Sequence, residues 1–325
     1  MKKSNQSTNG CNRILSPLTP AESGLSFTVA VFTVLVISLV FSLAVTAIAS
    51  GSGLTTEQFN EAIKDNLVYN ALAYGLSSVS LFLSVIILCR LKGRKPLADV
   101  PLKKPRARFW AIALLLVVGL LFGFTELNNL FISALQKIGY SKPDMSIPND
   151  RFYELVMWLI LAAAFPAFFE ECIFRGYLLE GLKELGTVFA VIVGGLLFSL
   201  FHQNPQQTPY QFICGMAFTL LAVKCNSLLP CMAMHFLNNA VILVTDFFSV
   251  PAFSPTVSII LTVLGLACFI AGIVWLILTK TEKRAPTEQE NPANHTKSRF
   301  LLFAMPGVVA CLIMWVADLI SYLGV

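Results

Sequence analysis

Apolar runs near or above ~18 residues recur along this chain, and each is long enough to cross ~30 Å of hydrocarbon as a helix. The clearest cover residues 25–49, 67–89, 109–125, 152–169, 257–279 and 300–323. Three less uniform runs, 187–202, 211–229 and 231–248, carry more polar residues, which suits helices that face protein or a water-filled cavity. Lipid satisfies no backbone polar group, so such runs must be helices. We therefore expect an all-α, polytopic transmembrane helical bundle of about nine spans. Composition agrees: of 325 residues, 56% are hydrophobic and 13% charged, and the mean hydropathy is +0.74, outside the usual range for soluble domains.

The net charge of +5 is informative by position. Arg90, Lys92, Arg94, Lys95, Lys103, Lys104, Arg106 and Arg108 crowd one loop in which Asp99 is the lone acid. By the positive-inside rule this loop, 90–108, is cytoplasmic. Lys2, Lys3 and Arg13 precede the first span, Glu57, Glu61 and Asp65 follow it, and Lys280, Lys283, Arg284, Lys297 and Arg299 precede the last. The expected topology is N-terminus inside and C-terminus outside, with inside loops near 90–108, 180–187, 224–230 and 280–299. The protein is then a multi-pass protein of the cell (plasma) membrane whose environment is the lipid bilayer. No aromatic residues interleave the basic loop, so it reads as a solvated anchor and no nucleic-acid partner is expected.

Ala47-Ile48-Ala49 imitates a signal-peptidase site, but the apolar run before it is too long for a signal peptide, and a retained first helix is expected. The eight cysteines (Cys11, Cys89, Cys172, Cys214, Cys225, Cys231, Cys268 and Cys311) lie mostly inside spans without C-x-x-C spacing, and read as packing residues. Gly119 and Gly123 form a G-x-x-x-G that suits close helix packing. The chain divides into a polar tail (1–24), N-terminal helices with the basic loop (25–149), a core rich in buried polar residues (150–249), and C-terminal helices with a polar loop at 280–299 (250–325).

Ionisable groups at membrane depth are costly and mark function by default. Two of the three histidines, His202 and His235, lie in apolar surroundings, while His295 sits in the polar loop. Glu170 and Glu171 are adjacent in an otherwise apolar stretch, with Arg175 four residues beyond the second. On a helix Glu171 and Arg175 share a face and neutralise each other; Glu170, about 100° round, is left free to act as a general base. Pro166 removes a helix hydrogen bond, so a kink or half-helix is expected there. Gly186 lies 16 residues after Glu170 and 16 before His202, so a hairpin turning at Gly186 brings the two to one level. His235 and Asn239 share a face, and both can donate hydrogen bonds to an oxyanion. Straight spans would leave His202 and His235 ~15 Å apart in depth, so tilt, a shortened sixth helix or a re-entrant 203–210 segment must close that gap.

Glu-Glu-x-x-x-Arg, Phe-x-x-x-His (Phe198 to His202) and His-x-x-x-Asn, in this order on successive membrane helices, resemble the CAAX prenyl endopeptidase and bacteriocin-processing (CPBP, Abi-type) family of intramembrane proteases. The resemblance covers roughly residues 150–245. It implies a membrane-embedded endopeptidase acting on membrane-bound peptides or proteins. Glu170 and His202 would activate water, His235 and Asn239 would stabilise the oxyanion, and Glu171 with Arg175 would support the site. Family members are also called metalloproteases, and Glu170, His202 and His235 would be the ligands of a zinc with an open position. There is no H-E-x-x-H helix, and we favour chemistry that requires no metal or other cofactor. The alternatives are a proton-coupled transporter, for which Asp246 and Asp318 remain unassigned acids, and a non-catalytic immunity or scaffold protein of the same fold. Asp318 reads as a buried helix–helix contact.

Overall fold

The computed structural model describes residues 18–64, 66–91, 93, 100–142, 151–282 and 297–324. Lys2, Lys3, Cys11, Arg13, Asp65, Lys92, Arg94, Lys95, Asp99, Lys283, Arg284 and His295 lie outside the described residues. Within them the fold is all-helical: α1 Pro20–Gly51, α2 Thr56–Lys64, α3 Leu67–Leu91, α4 Ala107–Lys137, α5 Phe152–Glu184, α6 Thr187–Phe201, α7 Thr208–Cys225, α8 Leu229–Phe247, α9 Pro255–Leu278 and α10 Lys297–Ser321. A lone antiparallel bridge joins Tyr140 to Leu323.

Six of these helices, α1, α3, α4, α5, α9 and α10, are long and apolar enough to cross a membrane. The expected count of nine is not reached by that measure. The three that fall short are the less uniform runs: α6 has only 15 residues, ~22 Å of helix, while α7 and α8 carry Gln211, Lys224, His235, Asn238 and Asn239. Conversely, α4 and α5 run past their expected ends at 125 and 169. Their polar residues turn towards protein and a cavity, so nothing obliges the helices to stop there. On the outside of the bundle Val40, Leu43, Ile259, Val263 and Leu302 are each 60% exposed or more. Apolar surface of that extent belongs in lipid.

Bare backbone sets the helix crossings. A Cβ added to Gly123 would lie 2.7 Å from the Leu266 amide nitrogen, so α4 and α9 meet where G-x-x-x-G places no side chain. Glycine does the same for α6 and α7, where a Cβ on Gly215 would fall 2.8 Å from Gly195 Cα. Thr19 caps α1 by accepting from the Glu22 amide, Glu22 returns the bond to the Thr19 amide, and Pro20 opens the helix.

The ends of the bundle are tied by loop contacts. At one end Leu228 N donates to Pro101 O at 2.8 Å and Glu282 N to Lys224 O at 2.9 Å. There Ser227 Oγ also donates to Lys103 O at 2.6 Å, and Arg108 pairs with Glu282 at 2.6 Å. At the far end of α4, Ser141 N donates to Tyr322 O at 2.9 Å and Gly324 N to Gly139 O at 2.8 Å. Asp318 belongs to this second tie: it accepts from Tyr140 Oη at 2.9 Å and pairs with Lys142 at 2.6 Å. The expected helix–helix contact is therefore an ion pair with the segment that follows α4, because Asp318 lies only one turn from the end of α10.

Candidate active site

The site is built on an irregularity in α5. Pro166 has no N–H to offer an earlier carbonyl. A π-helical turn, Leu159–Ala164, runs directly before it, and Pro166 sits in the first turn of the α-helical stretch Phe165–Glu171 that follows. Ala162 O accepts from Asn239 Nδ2 of α8 at 3.1 Å. A second π turn, Cys172–Leu178, begins directly after Glu171. Such turns often sit at functional sites because they re-aim side chains within a continuous helix.

Arg175 lies in the second π turn and still reaches back to its partner, with Nη1 2.9 Å from Glu171 Oε1 and both side chains fully buried. Its Nη2 donates to the Gly215 carbonyl at 3.1 Å, which the bare crossing of α6 and α7 leaves accessible. The guanidinium also lies 4.4 Å from the centre of the Phe198 ring and 5.1 Å from that of Phe218. The same Glu171 oxygen is 3.0 Å from His235 Nδ1. An ionised carboxylate can only accept, so this ring nitrogen carries hydrogen. The other nitrogen, Nε2, faces Glu170 Oε2 at 3.9 Å. That Glu170 oxygen is enclosed and has no hydrogen-bond partner, as expected for the carboxylate left free by the Glu171–Arg175 pair.

His202 ends α6, and its Nδ1 is 2.8 Å from the Phe198 carbonyl. A carbonyl oxygen likewise only accepts, which leaves Nε2 with its lone pair. The Phe198 ring packs edge-on against both histidines, 4.8 Å from His202 and 5.9 Å from His235 between centres, so one phenyl group spaces the two imidazoles. The hairpin between α5 and α6 turns at Gly186, whose φ of 104° lies in the left-handed region that favours glycine. The helix that carries His202, α6, is short at 15 residues, and the 3-10 turn Pro205–Gln207 after it stays at the cavity, where Gln207 forms part of the wall.

The cavity has a volume of about 470 Å³, and His202, Tyr210, Gln211, Asn128, Asn238 and Asn239 are on its wall. Glu170 and His235 are not part of that wall. Of the six residues singled out in the sequence, Glu171, Arg175 and His235 form one bonded unit, Glu170 stands beside it, His202 joins through Phe198, and Asn239 joins through Ala162. The sequence reading passed over Tyr210 and Asn238. Tyr210 Oη donates to Asn238 Oδ1 at 2.6 Å, and Asn238 Nδ2 donates to Asn239 Oδ1 at 3.3 Å. A polar pair in an apolar helix was the available signal for Asn238; for Tyr210, only its place at the start of a span was visible.

The donor types for a zinc are present in Glu170, His202 and His235. Among the described residues, however, no three His, Cys, Asp or Glu side chains are arranged as a metal-ligand set.

Residues 152–241, from the first residue of α5 to just beyond Asn239, match the family model described as type II CAAX prenyl endopeptidase Rce1-like. Over this core the chain is similar to that family, in agreement with the CPBP resemblance of its motifs. The matched segment holds all six signature residues, and α1 to α4, α9 and α10 lie outside it. No curated protein and no solved structure gives a match. At family level the match supports a CAAX-protease-like intramembrane endopeptidase in a multi-pass membrane protein.

Proposed function

We propose that the chain hydrolyses peptide bonds of membrane-associated proteins or peptides with a water activated by Glu170 and His202. The observation that carries this reading is the buried Glu170 oxygen that has no hydrogen-bond partner and lies 3.9 Å from His235 Nε2, with His202 on the cavity wall and the Phe198 ring between the two imidazoles. A carboxylate and an imidazole lone pair together supply the base that water needs. Glu170 takes the proton as the water oxygen attacks the scissile carbonyl, and the same proton goes on to the leaving amine.

The developing oxyanion is met by His235 and Asn239. His235 already gives its Nδ1 hydrogen to Glu171, so it donates from Nε2 only as an imidazolium. Asn239 gives one amide hydrogen to Ala162 and keeps the second for the oxyanion. Glu171 and Arg175 hold the unit without touching the substrate. No step requires a metal or other cofactor, and the N-terminus and basic loop 90–108 face the cytoplasm.

Purified protein in detergent, incubated with a quenched fluorescent peptide carrying an apolar membrane anchor, tests this. Wild type cleaves it; Glu170→Gln and His202→Ala each lose about 10²-fold or more in kcat while retaining their elution profile and helix content. Full activity in either variant would reject its assigned role.

A further inference from the structure

Three hydrogen bonds cross three helices beside the cavity: Tyr210 Oη to Asn238 Oδ1 at 2.6 Å, Asn238 Nδ2 to Asn239 Oδ1 at 3.3 Å, and Asn239 Nδ2 to Ala162 O at 3.1 Å. We infer that Tyr210 and Asn238 are positioning residues that fix the Asn239 amide so that its remaining N–H points at the developing oxyanion. This inference rests on the protease reading above.

The direction of the chain follows from its last member. Ala162 O is a main-chain carbonyl and can only accept, so the Asn239 group facing it must be the NH₂. That turns Asn239 Oδ1 towards Asn238, which must present its own NH₂. Asn238 Oδ1 then faces Tyr210 and needs a donor, and the phenol O–H is that donor. Reversing Asn239 sets oxygen against oxygen at Ala162 and NH₂ against NH₂ at Asn238, and reversing Asn238 sets its oxygen against Asn239 Oδ1. The carbonyl that anchors the chain lies in the π turn Leu159–Ala164. Two amides of α8 and a phenol of α7 are aligned on it. Tyr210, Asn238 and Asn239 all lie on the cavity wall, so the aligned N–H is held where a substrate carbonyl can reach it. Without the phenol hydrogen, Asn238 loses the partner of its Oδ1 and holds the Asn239 amide less firmly.

The test compares wild type, Tyr210→Phe, Asn239→Ala and the double variant in two measurements. In the first, kcat and KM are determined with the anchored fluorescent peptide. Asn239→Ala should lose about 10²-fold or more in kcat, the usual effect of deleting an oxyanion donor. Tyr210→Phe should lose about 2- to 13-fold in kcat with KM unchanged, since one phenol hydrogen is worth roughly one hydrogen bond. The double variant should match Asn239→Ala alone, because a positioning residue has nothing left to position. Multiplying losses would overturn the inference. In the second, protein labelled with ¹⁵N-asparagine is observed by NMR in detergent micelles, with Asn239→Ala identifying the Asn239 side-chain resonances. Tyr210→Phe should shift or broaden those resonances; an unmoved Asn239 amide overturns the inference whatever the kinetics show. A wild type that cleaves nothing defeats the protease reading, and the NMR result still decides whether Tyr210 governs Asn239.

Discussion

Replacing Arg175 by methionine removes the guanidinium that is paired with Glu171. Both side chains are fully buried, and the guanidinium gives up a 2.9 Å ion pair, a 3.1 Å bond to Gly215 O and its stacking on Phe198. Removing one partner of a buried pair costs about 3–5 kcal/mol, because the other charge is left in a low-dielectric interior. The lost cation–π contact adds about 1 kcal/mol, partly offset by methionine sulfur against the same rings. A net loss of about 3–5 kcal/mol is expected for Arg175→Met, read as a shift in the unfolding midpoint of the detergent-solubilised protein under a denaturant titration. In Glu171→Met/Arg175→Met no charge is left unpaired within this pair, so the double variant should lose at least about 2 kcal/mol less than the sum of the two single losses. It should still be inactive, since His235 has lost its Nδ1 acceptor. A single variant that costs under about 1 kcal/mol, or strict additivity in the cycle, would refute the reasoning.

Four further outcomes are expected. Gly123→Ala forces α4 away from α9, where the new Cβ would meet backbone atoms at 2.7–3.2 Å; thermal unfolding should show a loss of about 1–3 kcal/mol. Asp318→Asn breaks the ion pair with Lys142 at the far end of the bundle; a loss of about 1 kcal/mol or less, with cleavage within about twofold of wild type, separates this acid from the chemistry. Dialysis against a strong chelator should leave cleavage intact with no stoichiometric zinc by elemental analysis, whereas loss restored by added zinc would reverse the metal-independent mechanism. In whole cells, a membrane-impermeant thiol reagent should label Ser141→Cys directly and Lys103→Cys only after permeabilisation, and the opposite pattern would invert the proposed topology.

Long apolar runs made the helices legible, because the cost of unsatisfied backbone in lipid leaves few alternatives. Helix ends were less so: α5 continues through Glu170, Glu171 and Arg175, whose charges are answered by one another and by His235. The i, i+4 spacing exposed the Glu171–Arg175 pair, and the equal arms about Gly186 exposed the hairpin. What stayed hidden depends on contacts between distant segments. Nothing in the local sequence tells that a π turn precedes Pro166, that Gly215 lends its carbonyl to Arg175, or that Tyr210 meets Asn238. Phe198 was visible only as one position of a motif; that its ring lies against both histidines and the guanidinium emerges when α5, α6 and α8 are packed together.

If Glu170 and His202 serve one water, their losses cannot multiply, since removing either leaves the other with nothing to activate. The decisive measurement is therefore kcat for Glu170→Gln, His202→Ala and the double variant on one anchored peptide. Each single loss should be about 10²-fold or more, with the double variant no slower than the slower single. Losses that multiply, or a single variant that cleaves at the wild-type rate, would contradict the account.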